Sequence, residues 1–263
     1  MLDVWLYPAL DTIFYPLLWM PPGLSLSIVS FLTGVLMIWL YWLTSDQWRM
    51  AHEKRRIKVA QNELMRGDYS WQTIRRLLGG NLNLTVTALV PAVVTVALIL
   101  VMIPWVGSRF GYYVPDQRKP LTMTVRADQN WTLEVSNVVR TSVLERTDES
   151  GVLVRFMGLE AGRHRVTFRF EPGDSVDVPV SVGTPGPVWP DLSRPRWYHR
   201  LVRPAGFTLP PDGPLQAIEI GYTPVFGFLG FVFFGTYLPG WLTYFFVFSF
   251  FVGIYFKFRY SVE

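Results

Sequence analysis

Asn83, Thr87, Pro91 and Thr95 stand four residues apart in an otherwise apolar run. At helical spacing they form one slowly drifting stripe. Their chemistry is hydrogen bonding rather than bond making: one amide, two hydroxyls, and a proline whose missing N–H frees a carbonyl near Thr87. Two readings stay open. The threonines can bond back to their own helix or ease helix packing. Alternatively, the stripe lines one wall of a polar groove, closed beyond it by the wholly apolar Leu98 to Val101. A second cluster is electrostatic. Arg49, Lys54, Arg55, Arg56, Lys58, Arg66, Arg75 and Arg76 fall within residues 46–83, where only Asp46, Glu53, Glu63 and Asp68 oppose them. Such a surface suits anionic lipid head groups, each basic residue contributing about 1 kcal/mol near the membrane. It equally suits an anionic docking partner such as a ribosome or a nascent chain. Base-stacking aromatics are too sparse for specific nucleic-acid readout.

Other chemistry is poorly provided for. The chain has no cysteine, which excludes thiolate nucleophiles, disulfides and cysteine metal sites. Its three histidines, His52, His164 and His199, are far apart in sequence. No nucleophile–base pair, Gly-rich phosphate loop or carboxylate dyad stands out, and Glu134, Glu145 and Glu171 are expected to face solvent. We therefore expect no catalytic, cofactor-binding or metal-ligating residues, and a protein that is not an enzyme. The apolar runs also lack the ionisable groups that ion-coupled transport places within a membrane.

The elements that must position these residues follow from how the apolar half of the 263 residues is distributed. It falls in three blocks that the charges avoid, so we expect an α-helical membrane protein with three transmembrane helices. The first covers 24–45 and the second 84–106, each long enough for a hydrocarbon core of about 30 Å. The third block is divided by Pro239-Gly240, which leaves an interfacial or re-entrant lead-in at 225–238 and a helix over 239–257, closed by Lys257 and Arg259. Residues 1–45 carry no basic residue, whereas 46–83 carry eight. By the positive-inside rule 46–83 is cytoplasmic; with three spans the N-terminus and 108–221, a segment too long to obey the charge rule itself, are then outside and the C-terminus is cytoplasmic. Residues 1–23, aromatic and broken by Pro8 and Pro16, suggest a segment lying in the outer interface.

Residues 46–83 read as a cytoplasmic helical hairpin. Helix formers run from Asp46 to Arg66 with a thin seam of Met50, Ile57, Ala60 and Leu64, and Gly67-Asp68 breaks the helix. Ser70 caps a short return helix, which Gly79-Gly80 should end. Beyond the second span the period changes to two. The stretches 121–127, 131–139, 152–157, 164–170 and 175–182 predict an inserted extracytoplasmic antiparallel β-sandwich-like domain over 107–183. A Pro-rich linker follows over 184–224, in which 216–222 offers one more strand. In this linker Trp189, Trp197 and Tyr198 lie beside Arg194, Arg196, Arg200 and Arg203, as in an interfacial anchor.

One span running straight into a coiled basic segment, LSIVSFLTGVLMIWLYWLTSDQWRMAHEKRRIKVAQNELMRGD, and the final GWLTYFFVFSFFVGIYFKFRY carry a resemblance. Together with the topology they resemble the YidC-type membrane insertase superfamily. The likeness is greatest to the three-span archaeal YidC-like proteins and their relative in the endoplasmic-reticulum membrane protein complex. It covers about 24–106 and 239–260. The resemblance implies a chaperone without a cofactor, set in a prokaryotic plasma membrane, that passes client membrane segments through a cytoplasm-facing polar groove. Its partners would be lipid, clients and a ribosome. No basic residue lies within the spans, and Arg75 and Arg76 stand at the mouth of the second. The rival expectation is a scaffold subunit whose β-domain binds a protein partner.

Overall fold

A computed structural model describes residues 2–67, 69–127, 131–135, 140–147, 151–157, 159–170, 175–184, 186–194, 209–233 and 236–260. Among the described residues, three helices are long and apolar enough to cross a membrane: α3 (Pro22–Thr44), α5 (Trp71–Phe110) and α6 (Gly240–Arg259). They mark the chain as an integral membrane protein. Shorter helices precede them, α1 (Leu2–Ile13), α2 (Tyr15–Leu18) and α4 (Gln47–Met65). By contacts the chain divides into two compact units, Met1–Val29 with Val101–Phe245, and Ser30–Leu100 with Phe246–Glu263.

In the second unit α3 and α6 are joined by small residues. A Cβ at Gly34 would fall 2.6 Å from the Ser249 carbonyl and 2.9 Å from the Val252 Cβ, so only glycine permits this approach. Ser249 Oγ donates to the Ser30 carbonyl at 2.9 Å, and Gly253 faces Ile38. Helices in lipid gain little from hiding apolar surface, so close backbone approach and an interhelical hydrogen bond carry the packing.

The helix α4 begins where Asp46 accepts from the Arg49 backbone N–H at 2.9 Å, and it buries Met50, Glu53, Ile57 and Ala60. Its expected partner was a short return helix ending at Gly79-Gly80. Instead, α5 runs unbroken through both glycines for 40 residues. Glycine weakens a helix by about 1 kcal/mol against alanine, but tertiary contact overrides so small a preference. Here Gly80 meets Ile57, whose Cγ1 would lie 2.9 Å from an added Cβ. The residue is a crossing point rather than a stop signal.

In the first unit β1 (Tyr112–Tyr113) pairs with β10 (Thr223–Pro224), which closes the neck of a β-rich insert. A five-stranded antiparallel sheet has the order β4 (Arg140–Thr147), β5 (Gly151–Met157), β2 (Leu121–Ala127), β9 (Leu215–Ile220), β8 (Asp191–Ser193). A three-stranded one runs β3 (Trp131–Val135), β6 (Gly162–Phe170), β7 (Ser175–Val182). Alternation sets their buried faces: Leu121, Met123 and Val125 in the larger sheet, Val166, Phe168 and Phe170 in the smaller. The larger sheet draws β8 and β9 from the segment expected to be a linker, and β9 pairs directly with β2. Tyr222, just past β9, bonds to the backbone of Ser181 in β7, accepting from its N–H at 3.0 Å and donating to its carbonyl at 3.4 Å. Burial pushes the Tyr222 phenol up to about 12, although its bond with the Ser181 backbone pulls the other way.

Between β10 and α6 the chain forms a 3-10 turn (Gly227–Leu229) and a small hairpin of β11 (Phe231–Phe233) and β12 (Thr236–Leu238).

Candidate functional site

The basic surface is built on the α4–α5 pairing. Ser70 caps α5, accepting from the Thr73 N–H at 3.3 Å, and Thr73 Oγ1 reaches across to Glu63 Oε2 at 3.3 Å. Arg76 completes this end with an ion pair to Glu63 at 3.5 Å. Nearly three turns nearer the start of α4, Glu53 is only 6% exposed and accepts from Arg56 Nη1 at 3.2 Å, with Asn83 Nδ2 at 3.5 Å. A buried carboxylate needs such partners, since isolated burial of its charge is costly. Of the predicted basic residues, Arg56 and Arg76 are thus tied to carboxylates. Arg49, Arg55, Lys58 and Arg75 are exposed, while Lys54 is half-buried. Trp48, Tyr69 and Trp71 add exposed aromatic side chains to the same unit.

The polar stripe divides in character along α5. Pro91 is buried, Thr87 and Thr95 are half-buried, and Asn83 is exposed. Val86, Leu89, Val90, Val93 and Val96 occupy the exposed positions of the helix. Thr87 and Thr95 each donate to the carbonyl four residues back, Asn83 and Pro91 respectively, at 2.8 Å. Their protons are committed locally, and their oxygens keep accepting capacity. Because Pro91 has no N–H, the Thr87 carbonyl also lacks its usual helical donor. The face is therefore rich in acceptors and poor in donors.

A charged cluster that sequence reasoning had not singled out lies in the first unit. Arg109, at the end of α5, is held bidentately by Asp11 of α1, with Nη2 to Oδ2 at 2.7 Å and Nε to Oδ1 at 3.0 Å. Trp105 Nε1 donates to the same Oδ1 at 2.8 Å, and Arg109 Nη1 donates to Ser108 Oγ at 3.0 Å. The arginine side chain is 10% exposed and the aspartate 31%. An aspartate in an aromatic segment without basic residues and a lone arginine closing an apolar run were the available signals. Nothing local links residues 98 positions apart. The α1 helix passes through Pro8, where an interruption was expected, and Pro16 sits in the first turn of α2, where proline is tolerated.

Trp189 is not a surface anchor. It is buried against Tyr112 and Trp241, with ring centroids 6.1 and 6.4 Å away. Gly107 gives Trp241 its room: a Cβ there would lie 2.5 Å from the indole. Arg194 donates to the carbonyls of Gly213 and Leu215 at 2.8 and 3.2 Å, bracing the β8–β9 connection. Arg196, Trp197, Tyr198, Arg200, Arg203 and Glu171 lie outside the described residues, as do the side chains of Glu134 and Glu145. Comparison with protein-family models, with curated proteins and with solved structures finds no match to this chain.

Proposed function

We propose that this protein is a membrane-embedded, YidC-like insertase or chaperone that assists integration of client transmembrane segments, working without cofactor or covalent chemistry. The observation that carries the reading is the sheltered, acceptor-rich face of Thr87, Pro91 and Thr95 in the uncharged stretch of α5. That helix continues into the basic α4–α5 pair. In this reading 46–83 is a cytoplasmic hairpin, and Arg49, Lys54, Arg55, Arg56, Lys58, Arg75 and Arg76 meet anionic head groups or a ribosome. The two sheets form an extracytoplasmic sandwich. A client enters from the cytoplasm, its polar groups are partly hydrated beside Asn83, Thr87 and Thr95, and it leaves sideways into lipid. The energetic logic is that a polar group crossing hydrocarbon without a partner costs several kcal/mol. Thr87→Val with Thr95→Val keeps shape and removes the hydroxyls. Integration of a short-tailed client in depleted membranes complemented by this variant should fall severalfold. Integration that is unchanged both on depletion and with the variant would sink the proposal.

The second reading is a scaffold subunit, the spans serving as an anchor and the β-domain binding a protein. It is favoured by the local bonding of both threonine hydroxyls. Purification in mild detergent separates the two: nascent membrane proteins or ribosomes support insertion, and one stoichiometric partner supports the scaffold.

A further inference from the structure

The hairpin before α6 has no charge, and its described side chains hide little of their apolar surface. Phe228 is 83% exposed and Val232 68%, and Phe231 and Tyr237 are exposed beside them. No charged residue occurs from 223 to 256. In water, such a cluster in so small an element would be an association hazard.

Its base is held firmly. Phe226 adopts a left-handed backbone (φ 52°), unusual for a bulky residue, and its ring packs on Tyr244 with centroids 4.2 Å apart. The Phe226 carbonyl lies against Gly240, where any Cβ would collide with it, and the ring also reaches Gly23. Val225 N–H donates to the Gly111 carbonyl at 2.9 Å. Beyond this clamp β11 and β12 pair their own backbones, with Val232 opposite Tyr237.

Length then identifies the environment. The uncharged part of α6 runs from Gly240 to Phe256 before Lys257. At about 1.5 Å per residue it covers about 25 Å of a hydrocarbon core of about 30 Å. About 5 Å of apolar thickness remains at its N-terminal end, and the hairpin is the chain that lies there. The β11–β12 sheet has only two strands, so its open edges need water or head groups; the backbone therefore belongs at the boundary, with only the side chains reaching into the acyl region. Phenylalanine and tyrosine are fitted to the boundary between head groups and acyl chains.

We infer that Gly227–Leu229 with strands β11 and β12 forms a preformed wedge that seats Phe228, Phe231, Val232 and Tyr237 in the leaflet at the N-terminal end of α6, its ligand being the glycerol and upper acyl region of the lipid. The clamp at Phe226 makes the wedge rigid, so it sets the depth of α6 and makes up the length that helix lacks. This interaction is independent of insertase activity.

The absence of cysteine permits a direct test. Val232→Cys and, separately, Phe228→Cys are labelled with an environment-sensitive nitrobenzoxadiazole probe in the full-length protein. Each is reconstituted in phosphatidylcholine nanodiscs with nitroxide-bearing lipids, and Asp212→Cys serves as an exposed control. Both wedge probes should emit at shorter wavelength than the control. They should lose at least half their intensity to a nitroxide near the head group, and less to one at mid-chain. Quenching no greater than at Asp212 overturns the inference. So does a short-wavelength emission that lipid nitroxides leave untouched, which would mean that protein covers the wedge.

Discussion

Replacing Asp11 with alanine should release the N-terminal helices from the rest of their unit. The carboxylate accepts three hydrogen bonds, two from Arg109 and one from Trp105, at 2.7 to 3.0 Å. Without it the guanidinium remains charged and 10% exposed, with Ser108 Oγ as a remaining acceptor. Breaking a fully buried pair from one side costs about 3–5 kcal/mol. Asp11 is 31% exposed, and solvent screens part of that energy, so about 2–3 kcal/mol is the better figure. At about 1.4 kcal/mol per tenfold, the opening equilibrium of residues 2–18 should rise roughly 30- to 150-fold. Amide hydrogen exchange of the reconstituted protein reads this directly, with peptides from α3 as the internal reference. Asp11→Asn keeps one carbonyl acceptor and loses the charge, and should fall between the wild type and the alanine variant. Protection of residues 2–18 reduced less than threefold by Asp11→Ala would refute the assignment of this pair as the tether. Equal effects of the two variants would refute the role given to its charge.

Three further outcomes are expected. Gly34→Val drives a side chain into the Ser249 carbonyl and Val252, an overpacking that should cost about 1–3 kcal/mol, seen as a lower denaturation midpoint in detergent. Gly34→Ala should do less harm, and two wild-type midpoints would count against the crossing. Gly80→Leu meets Ile57 in the same way and should speed proteolytic cleavage within α4 severalfold while leaving the sheets resistant. Tyr222 stays neutral when folded up to about 12, whereas an unfolded tyrosine ionises near pH 10. Its contribution is therefore complete below about pH 10 and is lost as pH rises towards 12, amounting to about 2–3 kcal/mol at most. Tyr222→Phe should be less stable at neutral pH, since the Ser181 N–H loses an acceptor, yet should show a flatter decline between pH 10 and 12 in urea titrations. A parallel decline in both proteins would refute this.

Much of the architecture was legible because its causes are local. A membrane helix announces itself by length and an uninterrupted apolar run. The expected spans 24–45 and 239–257 match α3 (Pro22–Thr44) and α6 (Gly240–Arg259) to within a few residues. Strands with one buried face announce themselves by alternation, and 121–127 and 175–182 coincide with β2 and β7. Where two local signals of opposite meaning share a residue, sequence reasoning failed. Gly79-Gly80 reads as a helix stop, and at Gly80 what decides is a contact with Ile57, 23 positions away. Strands β4 and β8 went unread because their edge pairing, with β5 and β9, owes little to a pattern of their own.

By itself, then, the sequence determined that this chain crosses a membrane, where its alternating strands fall and where its basic residues gather, since each depends on hydropathy and period over a short window. Tertiary structure alone decided which distant residues meet. It placed β9 beside β2, set Asp11 on Arg109, buried Glu53 behind Arg56, and turned Thr87, Pro91 and Thr95 towards the sheltered side of α5. Those pairings arise from the requirement that buried charges and backbone groups find partners. The partners are chosen by the path of the whole chain, which no short window contains.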